Sequence, residues 1–502
     1  MTVSLQAFVV GVTLWLSTVS ALHAQGGAAP ATPDQRKAIT EADIKRDLFI
    51  MAGDAFRGRE AGTLDEMRAS IWVADEARKA GLKPAGELGS YFQWWPMRRT
   101  RTASSSTVAI NGRALVAGTD MIVAAIADGR AEGPVMWVGD VVGSSLDAQD
   151  LSGRIVAAEL TIPNNAPGLN VSLRAWRWAR LATAQRAAAM ARRGASAIIL
   201  VADSVTESAW EFFSTVSARG SYGLDTGSTD QRPRGVTPVI VVRRAMGALL
   251  AANGARAEVD VRSESFTYPS VNIVGVVPGT DATLKDEYVL FSSHQDHDGV
   301  RWPIAGDSIW NGADDNATGS VSLLAIARAF AQKPTKRSAL FVWHGAEERG
   351  LLGSRWHAMR PMVPKEKIVA VLNAEMMGRN SPDSASLLGV QPPHKNSDAL
   401  VAFALQANQE TARFKLDSLW DRPSHPEGWY FRSDHLSYAR ERIPALSYSS
   451  NLHPDYHTPR DEAATIDIAK LTRMTLWIYR TGWLVGNAKE RPALDPGFKL
   501  ER

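Results

Sequence analysis

Three apolar runs in the second half of the chain each end in a histidine or an acid, and this pattern limits the fold more than any other feature. Tyr288-Val289-Leu290-Phe291 leads to His294, the run SALFVWH from Ser338 to His344 leads to Glu347 and Glu348, and residues 367–372 lead to Glu375. Short runs that are apolar throughout and bounded by Gly-rich turns read as strands buried on both faces, as parallel sheets require. Polar residues at the carboxyl ends of such strands lie where open α/β sheets place their sites. Between the runs, residues 317–330 repeat apolar side chains at helical spacing (Val321, Leu324, Ile326, Phe330). The expected fold class is therefore α/β, a mixed, mostly parallel central sheet sandwiched by helices.

The residues at these strand ends are those that hold metal ions. His294 and Asp296 are two apart, so on an extended chain both point to one side, and the aspartate either orients the imidazole from behind or ligates beside it. Asp314 and Asp315 follow a Gly-rich turn and precede the 317–330 helix, where acids also serve as N-terminal caps. Glu347 and Glu348 are adjacent and cannot face one point. They divide labour, one reaching a cation and the other standing over a substrate, or else form a solvated Glu-Glu-Arg turn. His457 is followed four residues later by Asp461, a ligand with a carboxylate behind it.

Cysteine is absent, so disulfides and thiolate ligands are excluded and any metal must be held by His, Asp and Glu, a set that suits zinc or manganese. One histidine, His23, lies near the N-terminus, and the other nine of the ten all fall from His294 onward, which confines metal chemistry to the C-terminal half. The set His294, Asp314, Glu348, Glu375 and His457, with Asp296 and Asp461 behind, is enough for two cations sharing one carboxylate, leaving Glu347 to move protons.

At 502 residues with 45% hydrophobic and 22% charged side chains, the chain has room for two or three globular domains. A net charge of +3, with Lys and Arg scattered, gives no electrostatic footprint for nucleic acid. Residues 1–24 carry an apolar core followed by small residues and read as a signal peptide, which predicts a secreted or periplasmic protein. No Lys or Arg precedes that core, so an uncleaved membrane anchor stays open. No other run approaches the roughly twenty apolar residues that span a bilayer. A linker follows over 25–38, then the N-terminal part of the main domain over 39–104, where two helices joined by a turn are expected. Residues 105–262 change to short β-like runs around one Ala-rich helix and read as an inserted, mostly-β domain. The main domain resumes over 263–490, and 491–502 is a tail. Nothing in the sequence sets an oligomeric state.

Taken in order, the motifs H-x-D, G-A-D-D-N, A-E-E-x-G-L-L-G-S, N-x-E-M-M-G-R, R-S-D-H and Y-H-T-P-x-D resemble the co-catalytic two-zinc aminopeptidase family. That family includes aminopeptidase Y, bacterial leucyl aminopeptidases and glutamate carboxypeptidase II. The early G-R-E-A-G-T turn is similar to the family's own, and 150–156 with Gly194-Ala195 resembles its inserted protease-associated domain. The resemblance implies a zinc-exopeptidase fold, two Zn2+ per chain with Mn2+ or Co2+ as substitutes, and peptide substrates with a free N-terminus. It makes Asp314 the bridging ligand, joined by a cis peptide to Asp315. His294 and Glu375 complete one zinc site, and Glu348 and His457 the other. Glu347 becomes the general base, Tyr456 the hydroxyl that stabilises the oxyanion, and Arg432 a substrate contact. Asp296, Asp315 and Asp461 stand behind the ligands. One departure is Glu375, where members mostly carry Asp. The same fold also supports a carboxypeptidase or dipeptidase, for which Arg379, Arg422 and Arg432 supply cations, and its relatives include a one-zinc glutaminyl cyclase and receptor-like proteins without metal.

Overall fold

The computed structural model describes residues 38–140, 146, 148–161, 172–227 and 237–501. The expected signal peptide, and the linker apart from Ala38, lie outside the described residues. Four strands, Ala445–Ser449, Ile368–Glu375, Tyr288–His294 and Ser338–His344, run side by side and parallel at the centre of a ten-stranded sheet. The flanks are antiparallel: Ser263–Val277 lies between Ser338–His344 and Phe92–Thr102, and Ser384–Leu388 pairs with Ala445–Ser449. The sheet is thus mixed, with its parallel part confined to the middle.

Every residue of Ser338–His344 and of Ile368–Glu375 is buried. Successive side chains on a strand face opposite ways, so both faces must be covered. Phe291, Phe341 and Leu372 pack under the helices Thr318–Gln332 and Ile468–Asn487. Leu290, Leu340 and Val371 pack on the other side with the helices Leu352–Met359 and His435–Arg440. Each such side chain contributes about 1.5–3 kcal/mol by leaving water. The helix Ile468–Asn487 sits directly on the Phe291 ring, because a Cβ at Gly482 would lie 2.2 Å from its Cζ.

The N-terminal segment forms the two expected helices, Glu41–Met51 and Leu64–Lys79, begun by Thr40 and Thr63, whose side chains accept backbone N–H bonds. The turn between them spans Asp54–Arg59.

Strands between Thr107 and Val261 make a second, eight-stranded sheet with its own apolar clusters on both faces. The ribbon of Phe92–Thr102 and Ser263–Val277 links this unit to the main sheet. Ser221–Leu224 returns from it to pair with Phe92–Thr102. The helix Trp210–Arg219 lies against the main domain, where Phe212 packs on Trp302 with ring centroids 5.0 Å apart. Among the described residues, no helix is long and apolar enough to cross a membrane.

Candidate metal centre

The parallel strands deliver their polar ends to one edge of the sheet. His294 closes one strand and is in register with His344, three residues before Glu347, while Glu375 closes the next strand. The loop before helix Thr318–Gln332 brings Asp315 to the same place. Asp315 Oδ1 lies 3.2 Å from His294 Nε2, and its Oδ2 lies 3.1 Å from His457 Nε2. Glu375 Oε1 is 3.6 Å from His294 Nε2, and Glu348 Oε2 is 3.2 Å from His457 Nε2. Two groups of donor atoms result, each within 4.8 Å of one another: His294, Asp315 and Glu375, and His297, Asp315, Glu348 and His457.

Asp315, not Asp314, therefore belongs to both groups, in the place between them where Asp314 is expected from the sequence. Asp314 turns the other way: its Oδ1 accepts the Gly378 N–H at 2.6 Å, and Oδ2 faces His453 at 3.5 Å. The cis peptide, expected before Asp315, joins Asp315 to Asn316. Sequence pattern could not choose, because two adjacent acids on irregular backbone point apart, and only the backbone path decides which faces inward. Neither acid caps the helix, whose N-cap, Ala317, receives no side-chain bond.

Asp461 was expected behind His457. The tight turn there, with His457 at φ +51°, instead swings Asp461 back onto the backbone, where it accepts the N–H groups of Asp314 (2.9 Å) and Asp315 (3.1 Å). The carboxylate behind His457 is Asp298, with Oδ2 3.0 Å from Nδ1. Asp296 takes two roles: its carbonyl sits 3.1 Å from His294 Nδ1, which leaves Nε2 to face the site, and its carboxylate accepts the N–H of Glu347 at 3.0 Å. Ser433 Oγ donates to Glu375 Oε2 at 2.6 Å. Arg432 Nη2 donates to the Tyr456 hydroxyl at 2.9 Å.

Three contributors went unread in the sequence. His297 and Asp298 lie directly after Asp296 in H-Q-D-H-D, a run with more donors than a single ligand explains. Arg59, in the G-R-E-A-G-T turn, reads as a helix-end or salt-bridge residue. It is fully buried and donates to the carbonyls of Met51, Gln295, Asn311 and Gly312 at 2.7–2.9 Å, tying the two ligand loops together. The aromatics near the motifs mostly pack inward: Trp310, Trp429 and Tyr430 are buried.

The donor set fits divalent cations. His294 Nε2, His297 Nδ1 and Nε2, and Glu348 Oε1 are buried without hydrogen-bond partners, which is costly unless something else engages them. Burial lowers the affinity of His457 for a proton, yet Glu348, Tyr456 and Asp315 outweigh it and raise the imidazole to about 10. Glu347, pushed up by burial and by Glu375 and Glu348, lies well above the ordinary carboxylate range. Nitrogen and carboxylate oxygen without sulfur suit zinc, manganese or cobalt. Two surface cavities of about 370 and 490 Å³ border the second sheet, and neither is lined by any of these residues.

Residues 272–481 match the model of peptidase family M28, and this stretch contains every residue of both donor groups. That stretch is a peptidase family M28 domain. The four parallel strands and the ligand loops all belong to the M28 domain, whereas Arg59 and the second sheet lie outside it. Leucine aminopeptidase 1 of Arthroderma otae is 27% identical over 246 residues, covering 46% of this chain and 61% of that relative. Leucine aminopeptidase 1 of Arthroderma gypseum is 30% identical over 142 residues, or 27% of this chain and 36% of the relative. The chain thus matches less than two thirds of the length of these relatives. In overall fold it is similar to an aminopeptidase from Aneurinibacillus sp. strain AM-1 (TM-score 0.58, 17% identity, 92% of this chain and 97% of that one). It is likewise similar to a zinc aminopeptidase from Bacillus subtilis (TM-score 0.56, 17% identity, 92% and 99%). Both likenesses span the second sheet as well as the M28 domain, since they cover nearly the whole chain.

Proposed function

We propose that this chain is a secreted aminopeptidase that removes N-terminal residues from peptides with the help of two divalent cations, zinc first among them. The observation that carries the reading is the division of the Asp315 carboxylate, one oxygen toward His294 and the other toward His457. His294, Asp315 and Glu375 would hold one cation, and Asp315, Glu348 and His457 the other. The names of the fungal relatives and of the Bacillus subtilis structure point the same way. Secretion rests on the leader in the sequence. The eight-stranded unit is read as a protease-associated domain that walls one side of the site.

When bound, the cation pair supplies Lewis-acid pull on a carbonyl and lowers the pKa of an attacking water. Glu347 takes a proton from that water and hands it to the leaving amine, a task its place beside the donor groups allows, with Oε2 3.9 Å from His294 Nε2. Its backbone is fixed by Asp296, so its place does not depend on substrate. The Tyr456 hydroxyl, accepting from Arg432, turns its own O–H toward the carbonyl oxygen as charge develops there. Glu375 sets a negative charge where a free α-amine needs one.

A carboxypeptidase would use a cation to hold a terminal carboxylate. Arg379 already pairs with Asp455 at 2.6 Å and Arg432 with Glu427 at 2.9 Å, which favours recognition of the amine end. Two donor groups rather than one also speak against the one-zinc cyclase and the metal-free receptor readings.

The test is mass-spectrometric product analysis on matched peptides with free and blocked N-termini, with and without a chelator. Stepwise loss of N-terminal residues from the free-amine peptides alone, stopped by chelation, is expected. Trimming of blocked peptides from the other end would replace the reading with the carboxypeptidase one.

A further inference from the structure

His297 stands outside the ligand set that the sequence motifs assign, yet it is fully buried among those ligands. Its surroundings are built to hold the ring. Gly312, at φ +56°, is the residue beneath it, and a Cβ there would lie 2.3 Å from the ring's Cγ. The His297 backbone is pinned from the other side, its N–H donating to the Arg59 carbonyl at 3.2 Å and its residue bridging to Glu60.

Held this firmly, the ring makes no hydrogen bond through either nitrogen. Nδ1 lies 2.8 Å from Glu348 Oε1, but without hydrogen-bonding geometry. A buried imidazole with both nitrogens unsatisfied is destabilising, so such an arrangement persists only when another partner engages it. Two donor atoms in contact whose lone pairs do not address each other are placed to converge on a third atom. The same small space holds one donor atom each from Asp315, Glu348 and His457.

Resting on the metal-dependent reading above, we propose that His297 is itself a metal ligand, so that the His457 side of the centre has four protein donors and the His294 side has three. A cation surrounded by four protein donors has the closed shell of a structural site, whereas three leave a position open. The two cations are therefore unequal. The one on the His457 side is retained tightly and anchors the loops, and the one on the His294 side exchanges and faces substrate.

The full chain is stripped with chelator and reloaded with Co2+. In the proton spectrum in water, the paramagnetically shifted exchangeable imidazole N–H signals then count the ligating histidines. Signals from His294, His457 and His297 are expected, the third vanishing in His297→Ala and in His297→Gln. In parallel, Zn2+ release to a chromogenic chelator is expected in a fast and a slow phase, with the slow phase accelerated about tenfold or more in both variants. Signals from only two histidines in the wild type, or a slow phase unchanged in the variants, overturn the proposal and leave His297 a packing residue. A wild-type chain that takes up neither Co2+ nor Zn2+ overturns the metal reading itself, an outcome distinct from the other two.

Discussion

The Asp298 carboxylate lies 3.0 Å from His457 Nδ1, and on its other side it meets three guanidinium groups, those of Arg219, Arg301 and Arg349. Arg219 comes from the eight-stranded unit and also donates to the Asp298 carbonyl at 2.7 Å. A residue of the eight-stranded unit thereby bears on a carboxylate that faces a proposed ligand. Asp298→Asn keeps the shape and removes the charge behind the imidazole, so metal affinity is expected to fall about 10–100-fold. Zinc competition against a chelator of known affinity measures it, and an unchanged affinity would detach Asp298 from the centre.

Asp314 and Asp315 are adjacent but do different things. Asp315→Ala is expected to abolish binding of both cations. Asp314→Ala is expected to retain them while unfolding more readily, because the Gly378 N–H loses its acceptor, a loss of about 1–3 kcal/mol. Elemental analysis of the two purified variants decides between the adjacent positions: metal lost from Asp314→Ala and kept by Asp315→Ala would reverse the assignment.

Glu375 is held by Ser433 at 2.6 Å and by Asn316 at 3.2 Å, both on Oε2, which leaves Oε1 toward His294. Glu375→Ala is expected to lower metal occupancy and activity together. Wild-type metal content and rate in that variant would remove Glu375 from the site.

Arg59 satisfies four backbone carbonyls from three separate segments. Arg59→Met fills much of the same volume and strands those acceptors, so the chain is expected to lose about 3 kcal/mol or more of stability. Urea unfolding of the chelator-stripped protein checks this free of any metal contribution. A loss under about 1 kcal/mol would mean that water replaces the guanidinium.

His357 is buried with its Nδ1 2.8 Å from the Tyr438 hydroxyl, and burial lowers its pKa to about 3. Unfolded, it takes a proton near the ordinary imidazole value of 6.5. Its folded pKa is depressed, so the unfolded state binds the extra proton between these values, and stability falls as pH drops through that window. The expected slope from this one group is about 1.4 kcal/mol per pH unit below 6.5. Urea midpoints of wild type and His357→Gln between pH 7 and 5 should converge as pH falls. Parallel curves would show that His357 is not the group responsible.

Much of this arrangement was legible in the chain itself. Tyr288–His294, Ser338–His344 and Ile368–Glu375 announce themselves as strands because burial on both faces demands unbroken apolar runs, and each motif follows its strand directly in sequence. His294, Glu348 and Glu375 could be named as candidates for the same reason, His457 from the acid-bearing motif around it, and a separate β-rich unit between Thr107 and Val261 from its short β-like runs.

The sequence by itself determined three of the four central parallel strands, which residue types gather at their ends, and that any metal must be held by nitrogen and carboxylate oxygen. Only the tertiary structure decided that Asp315 rather than Asp314 turns inward, that Asp298 rather than Asp461 backs His457, and that Arg59, some 250 residues earlier, fastens the loops. The physical reason is one of range. Strand periodicity and chemical type are local properties carried by neighbouring residues. The direction of a side chain on an irregular loop depends on backbone turns, and those turns are held by hydrogen bonds from parts of the chain far away in sequence.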